Sequence, residues 1–138
     1  MRRGFAVLAL LAALAGCGGA GAASPEEVVR AWSAALNEDR NGAAADLFAP
    51  GAIVVQGDVE LRLGGRAEAL AWNEALPCNG RIVALDADGE VVTATFLLRD
   101  SQTTPCDGPG ERATAIFTVR DGEIVRWEQP SAAPGPTI

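Results

Sequence analysis

The chain contains no histidine, no lysine and no tyrosine, and all eleven of its basic side chains are arginine. Without histidine there is no Ser-His or Cys-His pair to activate a nucleophile, and no imidazole to complete a zinc site. Without lysine, Leu63-Gly64-Gly65-Arg66 is not a phosphate-cradling loop, whose glycine spacing it also lacks. General acid–base work at neutral pH would fall to a buried Asp or Glu with a raised pKa. Asp46 and Asp100 are the acids to inspect for it, against the plainer reading of Asp46 as a solvated helix residue and Asp100 as a loop residue. The abundant Ala and Gly beside an all-arginine base set fit a GC-rich coding bias, so a missing residue type says less about function here than elsewhere.

What is present begins with the N-terminal segment. Arg2 and Arg3 precede an apolar run at residues 5–15 that is too short to span a bilayer as a helix. Leu14-Ala15-Gly16-Cys17 at its end resembles the lipobox of bacterial lipoproteins. The resemblance implies export, thioether attachment of diacylglycerol to Cys17, cleavage just before it, and a place on the extracytoplasmic face of the cell membrane. The alternative is an ordinary secretory signal cut after Ala20-Gly21-Ala22, which would discard Cys17. Residues 1–16 are thus a signal peptide, 17–23 a Gly/Ala tether, 24–129 one small domain, and 130–138 a Pro-rich disordered tail. Loss of Arg2 and Arg3 takes the formal charge from −7 to about −9. An acidic surface disfavours nucleic acid and anionic headgroups as partners.

With Cys17 lipidated, Cys78 and Cys106 remain, in a compartment where disulfides persist. A turn at residues 86–89 sends the strand from residue 90 back along residues 81–85. Arg99 therefore returns to the end where Cys78 lies, and Cys106 follows in the next loop. The two are expected to pair; the rival is a reactive thiol or metal pair, which the lack of histidine and of a Cys-x-x-Cys spacing opposes. No metal and no cofactor are expected. Asp86-Ala87-Asp88-Gly89-Glu90 opens like a calcium loop but lacks the downstream ligands and closing Glu, and reads as a hairpin turn.

Ser24-Pro25-Glu26-Glu27 is a helix start, with Ser as N-cap, Pro at the first position and Glu at N3. Val28, Val29, Trp32, Ala35 and Leu36 then recur on one helical face. Asn41-Gly42 interrupts, residues 43–48 form a second helix, and Pro50-Gly51 ends it. Residues 52–56 and 59–63 read as strands around Gly57-Asp58, and 66–76 as a third helix. Four strands follow at 81–85, 91–99, 112–120 and 123–128, with Asp88-Gly89 and Asp121-Gly122 as hairpin turns. The fold class is α+β, a curved antiparallel sheet with helices on one face.

From about residue 24 to 129 the chain resembles the nuclear-transport-factor-2-like superfamily, also called SnoaL-like or ketosteroid-isomerase-like. The carriers are Glu27-Val28-Val29-Arg30-Ala31-Trp32, the stretch from Ala45 to Val54 (ADLFAPGAIV), Gly64-Gly65-Arg66-Ala67-Glu68-Ala69, and the stretch from Phe117 to Trp127 (FTVRDGEIVRW). The resemblance implies a cone in which the sheet wraps three N-terminal helices and leaves an open-ended apolar pocket. It implies no single chemistry. Ketosteroid-isomerase relatives build an oxyanion hole around Tyr, which this chain lacks, and no Asp-Arg-Asp set of the limonene-epoxide-hydrolase kind can be matched. Trp32, Phe48, Trp72, Phe96, Phe117 and Trp127 are the candidates to line a pocket, with core packing expected for at least half of them. The expectation is a membrane-anchored envelope lipoprotein, more a binder of a small apolar ligand or a protein partner than an enzyme. The alternatives are an isomerase or epoxide hydrolase using Asp or Glu, and a module that pairs copies through its open sheet, a homodimer.

Overall fold

The computed structural model describes residues 21–131; Cys17, residues 1–16 and most of the tail at 130–138 lie outside the described residues. The first helix, α1 (Pro25–Asn37), starts as its sequence dictates. Ser24 Oγ accepts from the Glu27 amide, and the Glu27 carboxylate accepts from the Ser24 amide, so two otherwise unpaired donors are satisfied. A short α2 (Asn41–Ala45) follows, then β1 (Phe48–Gln56), β2 (Val59–Leu63), α3 (Arg66–Glu74), β3 (Asn79–Asp88), β4 (Val91–Arg99), β5 (Arg112–Arg120) and β6 (Glu123–Gln129).

The strands form one sheet in the order β2-β1-β6-β5-β4-β3. Every pairing is antiparallel except β1 with β6, which run parallel, so the expected all-antiparallel sheet is corrected at that seam. Helix α3 sits between β2 and β3, so only α1 and α2 precede the whole sheet. Asn41-Gly42 opens α2 rather than interrupting a helix, and Phe48-Ala49-Pro50-Gly51 belongs to β1 rather than to a helix end. The β1–β6 register shifts between Phe48 and Ile53, and that irregularity accommodates a proline with no amide to give the ladder. Helix α3 stops at Glu74, two residues earlier than expected, with Pro77 just ahead to bar its continuation. β3 runs on to Asp88, so Asp86 and Asp88 are strand residues and the turn is Gly89-Glu90. Asp121 and Gly122 both take positive φ, as a two-residue turn matching strand twist requires.

Among the described residues no helix is long and apolar enough to cross a membrane. Helices and sheet enclose an apolar cluster. Trp32 of α1 packs edge-on against Phe117 at 5.3 Å and lies 6.4 Å from Trp127; Trp72 of α3 meets Trp127 at 4.8 Å and Phe48 at 5.6 Å. Phe117 and Val119 take the inward face of β5, whereas Ile116 and Thr118 face outward and stay half-exposed. That alternation was legible from sequence without its sense; the helices supply the sense.

Candidate functional site

One end of the sheet carries the turns at Gly89-Glu90 and Asp121-Gly122 and the start of α1. Ala22 packs over Gly122 there, so the chain leading from the N-terminus joins the domain at this end. The opposite end is hollow. A cavity of about 290 Å³ opens where β1, β4 and β6 finish and β3 and β5 begin. Its helix-side wall is Trp32, Ser33 and Leu36, its rim Leu76, Pro77 and Cys78, and its sheet side includes Phe96, Leu98, Ala115 and Trp127.

Small and polar residues keep it open. Gln56 and Gln129 are direct neighbours across the β1–β6 seam, at inward-facing positions where the strand alternation calls for apolar side chains. At Gly80 a Cβ would come within 2.9 Å of Phe96 Cβ, so only glycine lets β3 pass this close to the aromatic wall. The Gly80 carbonyl accepts from Asn37 Nδ2 at 2.9 Å and from Ser33 Oγ at 3.3 Å, which ties the start of β3 to α1. Trp32 Nε1 donates to the buried Asn73 Oδ1 at 2.8 Å, and Asn73 Nδ2 donates to the Ala69 carbonyl, so the Trp32 wall is fixed to α3. Trp127 Nε1 is buried and has no acceptor among the described residues.

Of the six aromatic candidates, Trp32, Phe96 and Trp127 line the cavity, while Phe48, Trp72 and Phe117 are buried in the core away from it. Cys78 and Cys106 form a disulfide, which fastens the β4–β5 loop to the rim. Asp107 of that loop also lines the mouth, its Oδ1 3.3 Å from Cys78 Sγ. Cys78, Cys106 and Asp107 stand close enough together to resemble a metal cluster, but sulfurs joined to each other offer no thiolate.

Neither acid singled out from sequence reaches the cavity. Asp46 is more than half exposed and accepts from Arg66 Nε at 2.6 Å. Asp100 is exposed and its Oδ1 accepts from the Cys106 amide at 2.7 Å, shaping the disulfide loop. Sequence reasoning missed Gln56, Gln129, Asn73 and Asp107. The two glutamines had a signal, since both sit at the inward parity of their strands; Asn73 and Asp107 had none short of the three-dimensional packing.

A family model described as SnoaL-like domain matches residues 29–127. Comparison of the sequence with curated proteins gives no match. The structure is similar to an NTF2-like protein of unknown function from Cytophaga hutchinsonii, with a TM-score of 0.63 at 15% identity over 77% of this chain and 88% of that one. It is similar to a candidate polyketide cyclase from Sinorhizobium meliloti, with a TM-score of 0.62 at 21% identity over 75% of this chain and 93% of that one. A candidate ketosteroid isomerase from Kribbella flavida gives 0.61 at 20% identity over 82% and 83% of the two chains. At such identities the likeness is one of fold.

Proposed function

Because the chain belongs to the SnoaL-like family, whose scaffold hosts catalysts and binders alike, we propose from its own pocket that it is a cell-envelope lipoprotein, anchored through Cys17, whose domain binds a small apolar molecule without transforming it. The observation that carries the reading is the composition of the cavity. Aromatic and aliphatic walls with a few amides and hydroxyls suit retention of a lipophilic guest. Among the described residues the one carboxylate of the lining, Asp107, is exposed at the mouth, and Asp46 and Asp100 are engaged elsewhere. A general base needs a carboxylate within hydrogen-bond reach of a bound substrate inside the pocket.

The envelope assignment draws on the Leu14-Ala15-Gly16-Cys17 motif and on the Cys78–Cys106 disulfide, which suits an oxidising compartment. Domain geometry is compatible with it. From Arg120 at the turn end to Ala113 at the mouth the strand runs about 24 Å, whereas Cys17 to Ala22 can span at most about 18 Å. An anchored domain therefore cannot stand inverted with its mouth pressed straight down on the bilayer. Intact mass of chain extracted from native membranes tests the anchor: a diacylglyceryl or triacyl mass on a chain beginning at Cys17 supports it, and an unlipidated chain beginning after Ala22 refutes it.

A second reading rests on the outer sheet face, where Ile53, Val55, Leu97 and Ile116 remain only half-buried, with nothing packed over them among the described residues. Such a face suits pairing of two copies, and sedimentation velocity across a concentration series tests it: a mass that doubles with concentration supports pairing, and a constant monomer mass rejects it.

A further inference from the structure

We infer that the pocket admits uncharged guests and turns away carboxylates, and that Asp107 is the residue that sets this selectivity. The inference rests on the binding reading above and deepens it. Among the described residues, the lining holds no cationic side chain. A guest carboxylate seated there would lose hydration with no ion to replace it, a cost that buried charge does not recover from amides alone. It would also lie close to the Asp107 carboxylate, which the Cys78–Cys106 disulfide and the Asp100 bond to the Cys106 amide hold at the mouth.

The nearest arginines do not cancel this field. Arg81, Arg99, Arg112 and Arg126 flank the lining residues Gly80, Leu98, Ala113 and Trp127 in sequence, and alternation turns all four to the outer face. Asp100 follows Arg99, Glu111 precedes Arg112, and Arg126 pairs with Glu128 at 3.5 Å. An uncharged guest with a hydroxyl or carbonyl head meets suitable partners instead. Gln56 and Gln129 stand side by side at the opening, and each amide both donates and accepts. The chemical class is thus a compact apolar molecule carrying a neutral hydrogen-bonding group, not a fatty acid or other organic anion.

The test uses the full chain carrying Cys17→Ser, which keeps lipid out of the assay, titrated with 2-naphthalenemethanol and with 2-naphthoate. The indole N–H signals of Trp32 and Trp127, which line the cavity, report binding by NMR, with Trp72 as the tryptophan outside it. The alcohol is expected to bind, and the carboxylate to bind roughly tenfold more weakly at low salt, with the gap narrowing as salt is added. Asp107→Asn is expected to strengthen naphthoate binding several-fold relative to the alcohol, closing the gap between the two probes. Equal affinity of the two probes, or a gap that Asp107→Asn leaves intact, overturns the charge selectivity while sparing the binding reading. Failure of both probes to move either indole signal overturns the binding reading and this inference with it.

Discussion

The two ends of one sheet have opposite fates in this domain. At the turn end the inward positions are Val92, Val119 and Ile124, and α1 lays Val28 and Val29 against them, all essentially without exposure. At the mouth end the same alternation brings Gln56, Gln129, Ala113, Ala115 and Gly80 to the same side, and the space between sheet and helix stays open. Backbone architecture is continuous between them. What separates core from pocket is side-chain volume and polarity at equivalent positions, so a site here is made by leaving methylenes out rather than by adding a motif.

Substitutions that strain this contrast differ in expected size. Phe117→Ala removes a ring with 0% exposure from the filled half, and should cost about 3–5 kcal/mol in urea unfolding. Replacing both Cys78 and Cys106 by Ala frees a loop of 28 residues, and should cost about 3.5 kcal/mol if the chain-entropy account holds. The same double variant should also loosen the mouth, read as weaker probe binding at a temperature where the domain remains folded. Asn73→Ala leaves the buried Trp32 indole N–H without its acceptor at the junction of the two halves, and should cost about 1–3 kcal/mol. Gln129→Leu, at the rim, should change stability by no more than about 0.5 kcal/mol yet weaken binding of 2-naphthalenemethanol, which titration reads directly. A large stability change from Gln129→Leu with unchanged binding would erase the distinction between the ends.

Much of the fold was legible before any coordinates. The capping box at Ser24 to Glu27, the bounds of β2 and the positive-φ turn at Asp121-Gly122 follow from local chemistry alone, and the structure contains each of them. The disulfide followed from reasoning about where two strands would return the chain. The misread stretch, residues 41–51, is where local signals conflict with tertiary pairing. Pro50-Gly51 reads as a helix stop, but the parallel seam with β6 recruits Phe48 into a strand and absorbs the proline in an irregular register. The pocket was only half legible because Trp32 and Phe96 on one side, and Trp72 and Phe117 on the other, have the same chemistry. Nothing in their identity separates a lining ring from a packed one; the small and polar residues opposite them do.

The most direct test of the central claim places the same added volume in each kind of environment. Ala115 lines the cavity and Ala44 of α2 is completely buried in packed core, so Ala115→Leu and Ala44→Leu add the same atoms to a hollow and to a filled site. Urea unfolding is predicted to find Ala115→Leu as stable as the parent or slightly more so, and Ala44→Leu destabilised by about 1–3 kcal/mol. Equal losses in both would mean that the mouth end is packed like the rest, and would contradict the pocket on which the functional reading stands.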